Sequence, residues 1–160
     1  MRAAVLHEKN TPLVVEDVDV EAPRQGEVLV RIAASGVCRS DLHAQEGESP
    51  VSKPPLVLGH EGAGIVEEVG PGVTGLAQGD PVVIALYGPC GTCDDCRAGD
   101  IPNCWSETRT HNMYGRMPDG STRLRLRGEP IAPMVGSGSL AELSVVREAQ
   151  LVKIDRDIPL

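Results

Sequence analysis

The chain has 160 residues, enough for one ordinary domain with a sizeable core. Its net charge of −8 excludes a general nucleic-acid surface, which needs basic patches to meet phosphates. No stretch approaches the ~20 apolar residues of a membrane span.

Eighteen glycines, thirteen prolines and no phenylalanine, with valine in short runs, describe a β-rich chain with many turns. Residues 1–6 read as a first strand and residues 13–20 alternate well enough for a second. Residues 28–34 form a third, which delivers the chain to Gly36-Val37-Cys38. A short helix is expected over residues 39–46, capped by Ser40 or Asp41. Residues 49–56, with Pro50, Pro54 and Pro55, read as an extended loop. Residues 58–69 return to strand, and Gly59, Gly62 and Gly64 within it signal close backbone approach or bulges. A further strand covers residues 81–86, ahead of a cysteine-rich lobe. Residues 105–120 are polar and read as irregular. Residues 123–127 alternate Arg123, Arg125 and Arg127 with Leu124 and Leu126, a strand with one charged face. Residues 127–138, with Pro130 and Pro133, read as a loop. Residues 140–147 and 151–154 complete the strands. The sum is a mainly β, barrel-like body with short helices and excursions. Residues 155–160 read as the start of a segment leading onward.

The lobe holds Cys90, Cys93, Cys96 and Cys104, with two, two and seven residues between them. Four thiolates so spaced can close on one tetrahedral zinc, the short steps turning neighbouring sulfurs to one point. An iron–sulfur cluster, disulfides or free thiols are the competing fates. An all-cysteine zinc site is closed, and its work is structural. Cysteines in metal spacing, with no basic-then-apolar export signal at residue 1, point to a reducing, cytoplasmic setting.

The fifth cysteine, Cys38, is followed at once by Arg39, Ser40, Asp41 and His43. Gly59-His60-Glu61-Gly62 comes further on. Alone, Cys38 reads as an inert core residue, yet so polar a cluster does not sit unpaired in a core. Cys38 and His60 together supply two donors of a catalytic Cys₂His zinc set. Asp41 could accept the second N–H of a ligating His60. Ser40 could take an alcohol's proton and His43 could carry it to water. Arg39 could meet a cofactor phosphate. Glu61 could orient the metal site, or stand as a solvated carboxylate. Gly136-Ser137-Gly138 lacks the third glycine of a dinucleotide loop, and Gly70-Pro71-Gly72 is a turn. His7 and His111 read as exposed side chains.

GVCRSDLH (36–43), GHEGAGIVEEVG (59–70), Gly79-Asp80 and the four-cysteine lobe, in this order, resemble the N-terminal catalytic domain of the zinc-dependent medium-chain alcohol dehydrogenases. RGEPIAPMVGSGSLAEL (127–143) resembles the longer-loop branch with the class I and class III enzymes. The resemblance covers essentially the whole chain. It implies a GroES-like domain over residues 1–160, with a structural zinc lobe at 88–105 and a Rossmann domain that binds NAD expected after residue 160. It also implies that Cys38 and His60 are catalytic zinc ligands. Ser40 and His43 would then be the proton relay, Asp41 the acid behind the ligand histidine, and Glu61 a carboxylate able to approach the metal. Arg39 would lie near the cofactor pyrophosphate, Leu86 or Tyr87 near the substrate. Cys90, Cys93, Cys96 and Cys104 would hold structural zinc.

The third catalytic ligand of the family is a cysteine that this sequence lacks. The implied activity is zinc-assisted alcohol oxidation by hydride transfer to NAD, with an alcohol or aldehyde as partner, and with this chain alone inactive. A homo-oligomer is expected of the full-length protein. The alternatives are a zinc-lobed binding or assembly domain and a thiolate metal store, the latter disfavoured because four cysteines form one compact site.

Overall fold

The computed structural model describes residues 1–50, 52–86 and 88–158. Among the described residues eleven strands form two sheets. The first sheet contains β1 (Arg2–Leu6), β2 (Val14–Asp17), β3 (Asp19–Val20), β5 (Leu56–Val57), β8 (Leu124–Leu126) and β9 (Glu129–Pro133), in the order β2-β1-β5-β9-β8-β3. The second contains β4 (Glu27–Gly36), β6 (Glu61–Val69), β7 (Pro81–Ile84), β10 (Leu143–Arg147) and β11 (Leu151–Lys153), in the order β10-β4-β6-β7-β11. Every pairing is antiparallel except β5 with β9. The result is a curled, half-barrel body, as the strand spacing predicts.

Valine alternation builds the interior. Val28, Val30, Val66, Val82, Ile84 and Val146 fill the second sheet's core. Ala3, Val5, Val18, Val57, Leu124, Leu126 and Ile131 fill another cluster along the first sheet. A third joins Leu6, Leu56, Leu58 and Met134 to Ala44, which lies on the helix α1 (Arg39–Gln45). Each of the leucines and the methionine removed from water there is worth about 1.5–3 kcal/mol, and Ala44's place in the cluster fixes how α1 lies on the barrel.

Four expectations are corrected by the fold. The segment expected as one strand over residues 13–20 splits: Val14–Asp17 pairs with β1, while Asp19–Val20 crosses to β8. The polar stretch after the lobe contains a helix, α3 (Glu107–Met113), capped by the Ser106 side chain, which accepts the Arg109 N–H at 3.2 Å. Part of the proline-bearing loop at 127–138 is strand β9, in which Pro130 stands opposite Arg125 and Pro133 opposite Val57. The arginine-bearing strand does not present one charged face. Arg123 is buried and grips Glu27 with Nε at 2.8 Å and Nη2 at 2.5 Å, while Arg125 and Arg127 remain exposed.

Candidate metal centres

The first centre is built by one strand pairing. Gly36, the last residue of β4, pairs with Glu61, the first residue of β6. That register carries Cys38, two residues past the strand, to the side of His60, one residue before its partner. The absence of a side chain on Gly36 leaves room for the Glu61 carboxylate, since a Cβ there would fall 2.2 Å from Glu61 Oε2 and make that side chain move. Gly59 has φ +93°, and a Cβ on it would meet Leu140 N at 2.5 Å. The backbone before His60 is thereby pressed against residues 139–140, which donate N–H bonds to the Gly59 and Leu58 carbonyls at 3.0 Å each.

Cys38 is the N-cap of α1, with extended backbone, instead of Ser40 or Asp41. Ser40 and Asp41 are the second and third residues of the helix, in its first turn. The Asp41 carboxylate reaches back to accept the Cys38 N–H at 2.9 Å and, from its other oxygen, the Gly59 N–H at 2.9 Å. The same Oδ1 lies 3.7 Å from His60 Nδ1, a charge contact rather than a hydrogen bond. Asp41 is 3% exposed, so one buried carboxylate ties the cysteine, the chain before the histidine, and the histidine ring. Burial raises its pKa, but His60 and the two amides outweigh that and hold it below the usual carboxylate range. In turn Asp41 raises the His60 pKa to about 9, against the pull of burial and with Cys38 adding to it. The Ser40 hydroxyl lies 3.2 Å from Cys38 Sγ and, with the Ser40 amide and His60, lowers the thiol's pKa.

The donor atoms of Cys38, His60 and Glu61 lie within 4.8 Å of one another. A thiolate, an imidazole and a carboxylate at that separation suit a borderline-soft ion such as zinc. His60 Nδ1 is buried without a hydrogen-bond partner and faces Asp41, which leaves Nε2 for a metal. The rest of the expected constellation is on the surface. His43 rests its Nδ1 on Glu48 rather than on Ser40, and these two with Glu46 make a solvent-side cluster. Arg39 is exposed, 3.9 Å from Glu46. Leu86 is exposed, and Tyr87 lies outside the described residues. A cavity of about 750 Å³ opens elsewhere, between Lys53, Tyr114, Arg116, Ile131 and Met134, and none of the donor residues lines it.

The second centre is the lobe. Cys93 caps the one-turn helix α2 (Asp94–Arg97), its Sγ accepting the Cys96 N–H at 3.5 Å. A 3₁₀ turn, Ile101–Asn103, with proline in its first positions, returns the chain so that Cys104 closes the set. The four sulfurs lie within 4.8 Å of one another. Cys90 Sγ accepts N–H bonds from Thr92 at 3.4 Å and Cys93 at 3.3 Å, which draw its pKa down to about 5. Cys93 goes the other way, to about 12: the Cys96 N–H favours its thiolate, but burial and the other sulfurs prevail. Thiolates so close repel, and a bound cation is what allows all of them to ionise. Of the four, only Cys104 is fully buried, at 0% exposure. The lobe has almost no apolar interior of its own.

Two side chains absent from the expectations tie the lobe down. Arg109 on α3 donates from Nη1 to the Cys104 carbonyl at 3.1 Å and to the Pro102 carbonyl. Arg147, at the end of β10, donates from Nη1 and Nη2 to the Pro89 carbonyl at 3.1 and 3.0 Å. An arginine closing the run Val145-Val146-Arg147, where a valine strand should be burying itself, is the sequence signal that could have marked the second.

Residues 24–156 match the family of the alcohol dehydrogenase GroES-like domain. The chain belongs to that family. Its place is the class III-like branch of the zinc-dependent medium-chain alcohol dehydrogenases. It is 41% identical over 154 residues to the S-(hydroxymethyl)glutathione dehydrogenase of Escherichia coli, covering 96% of this chain and 42% of that protein. The chain thus spans about two fifths of the length of the curated relatives it matches. An alcohol dehydrogenase zinc-binding domain protein from Burkholderia ambifaria superposes with a TM-score of 0.91 at 40% identity, over 99% of this chain and 43% of that one. Benzyl alcohol dehydrogenase from Acinetobacter calcoaceticus gives 0.87 at 36%, over 99% and 42%. Among the described residues no helix is long and apolar enough to cross a membrane.

Proposed function

We propose that this GroES-like domain serves a zinc- and NAD-dependent dehydrogenase that interconverts an alcohol with an aldehyde or ketone. The reading is carried by one observation: Cys38, His60 and Glu61 bring three different donors within 4.8 Å, at the meeting of β4, α1 and β6. Cys38 and His60 hold the metal, and Glu61 lies within reach of it. The chemistry that the bound groups supply is Lewis acidity toward the alcohol oxygen and, from the nicotinamide, acceptance of the hydride. Asp41 keeps the His60 ring oriented and the Cys38 amide fixed. The Ser40 hydroxyl, beside the Cys38 sulfur, takes the proton of the alcohol. His43, on the outer face of α1 and resting on Glu48, stands at the solvent end of such a route, and the link from Ser40 to it would have to come from a bound group. Arg39 offers its exposed guanidinium to a cofactor phosphate.

The four lobe cysteines hold a second, closed zinc site with no open position. A Rossmann domain following residue 160 supplies the nicotinamide platform and a homo-oligomer is the working assembly. Substrates worth comparing are simple alcohols, benzyl alcohol and S-(hydroxymethyl)glutathione, the last two being the substrates named in the relatives.

Metal analysis of the full-length protein, alongside alcohol-dependent NAD⁺ reduction, tests the reading. Two zinc ions per subunit are expected, with one lost together with activity in Cys38→Ser. A single zinc, unaffected by that replacement, would leave a zinc-lobed binding domain as the better account.

A further inference from the structure

Arg147 has no counter-charge of the ordinary kind. Its side chain is 8% exposed, and among the described residues it forms no ion pair. The carboxylates nearest in register and in sequence are engaged elsewhere. Glu27, its partner across the β10–β4 ladder, holds Arg123 with both oxygens. Glu148, its neighbour, accepts the Thr74 and Gly75 N–H groups at 3.1 and 2.6 Å. What the guanidinium does touch is the carbonyl of Pro89, the residue before Cys90, and its Nε has no hydrogen-bond partner. The approach is close enough that a Cβ on Gly88 would fall 2.3 Å from Arg147 Nη2. Both Gly88 and Pro89 lead directly into the four-cysteine lobe.

A buried cation whose side chain, among the described residues, bonds only to a carbonyl is costly. Four thiolates closed on a divalent ion form a dianion, equally in need of charge. We infer that Arg147 is the counter-cation of the four-cysteine metal centre: it stands on the barrel side of the lobe, fixes the Pro89 carbonyl, and offsets the negative charge that the centre acquires when metal closes it. The bond to Pro89 then serves a second purpose, because it holds the cation at the root of the Cys90 arm. Arg147 is a positioning residue, acting on metal retention rather than on hydride transfer. The inference rests on the lobe being a metal site.

The test uses the full-length protein in a Cys38→Ser background, so that only the lobe releases metal. Zinc release to an excess of a coloured chelator is timed for the parent, Arg147→Gln and Arg147→Lys. Release about 10–100-fold faster is expected in Arg147→Gln, the range seen when groups behind metal ligands are removed. Arg147→Lys, which keeps the charge and loses the fork, should stay within a few-fold of the parent. Thermal midpoints add a sign that a merely structural role would not produce. Arg147→Gln should lower the midpoint of the zinc-loaded protein and leave that of the stripped protein equal or higher, since the uncompensated charge is gone.

Equal release rates overturn the inference. So does an equal drop in both midpoints, or Arg147→Lys releasing as fast as Arg147→Gln, which would make the bond to Pro89 the whole of its role. Should the stripped form not stay folded, the release rates alone decide. A parent that holds no zinc would overturn the metal reading of the lobe itself, and the inference with it, whereas a zinc-holding parent with unchanged release in the variant overturns only the role of Arg147.

Discussion

Asp41 and Asp80 show how much a single carboxylate organises. Asp41 holds the Cys38 and Gly59 amides and stands beside the His60 ring, so both ligand candidates depend on it. Asp41→Asn should weaken zinc binding at Cys38 and His60 about 10–100-fold, read by competition with a chelator, with little change in secondary structure. Unaltered affinity would show that the ring is oriented by other contacts. Asp80 lies at the turn before β7, where it accepts Lys153 Nζ at 2.7 Å, the Ala77 N–H at 2.9 Å and Arg156 Nη2 at 3.0 Å. Lys153, the Ala77 amide and Arg156, in that order, draw its pKa from 3.8 down to about 2. A folded-state pKa below the unfolded one means stability present above pH ~3.8 and lost as pH falls toward 2. Asp80→Asn should therefore lower the urea midpoint at neutral pH, and the gap from the parent should close between those two values. A gap that stays constant with pH would assign the loss to packing instead. Ser40, Asp41, Cys38 and His60 stand in two compact polar motifs that draw notice in the sequence, and the fold brings the four together. The expected relay from Ser40 to His43 has no direct contact in the fold, because His43 turns outward to Glu48.

At the scale of elements, a buried ion pair spans the two sheets. Glu27 opens β4 of the second sheet, and Arg123 immediately precedes β8 of the first. Both side chains are almost wholly buried, so removing one leaves the other out of solvent and without its ion-pair partner, Glu27 keeping only the Arg24 N–H and Arg123 keeping Asp119 and Ser121. Arg123→Met should cost about 3–5 kcal/mol in denaturant unfolding, and adding Glu27→Leu should recover much of it, because a paired apolar replacement leaves no buried charge. Additive losses would show that the arginine acts through its bonds to Ser121 and Asp119. The lobe is an element of the opposite kind, with almost no core and four sulfurs at its centre. Cys93→Ser should lower the thermal midpoint and open residues 88–105 to proteolysis while the barrel strands stay protected. Turnover per correctly folded subunit should change far less. An unchanged midpoint with unchanged zinc content would remove the metal from the account of the lobe. Strand boundaries were readable from valine alternation, but the split between β2 and β3 was not, since both halves alternate and only the partner strands differ. The helix at Glu107–Met113 escaped notice because its face is polar and its cap, Ser106, stands among other polar residues.

For the molecule as a whole, two donor clusters of different character, each able to hold a metal ion, share one barrel. One is assembled by long-range strand pairing, from residues 22 positions apart, and keeps solvent-side groups around it. The other is closed within fifteen residues and sits against the barrel through Arg147 and Arg109. The mainly β class, the zinc-lobe spacing and the Cys38–His60 motifs follow from the sequence alone, because local spacing and alternation are properties of neighbouring residues. Tertiary structure alone decided the rest. The register that pairs Gly36 with Glu61 turns two separate motifs into one cluster, and no local pattern encodes which residues of two strands will face each other. The carboxylates given to Arg123 and withheld from Arg147 are likewise outcomes of packing, because an arginine's partner is set by where the chain folds and not by what stands beside it in sequence.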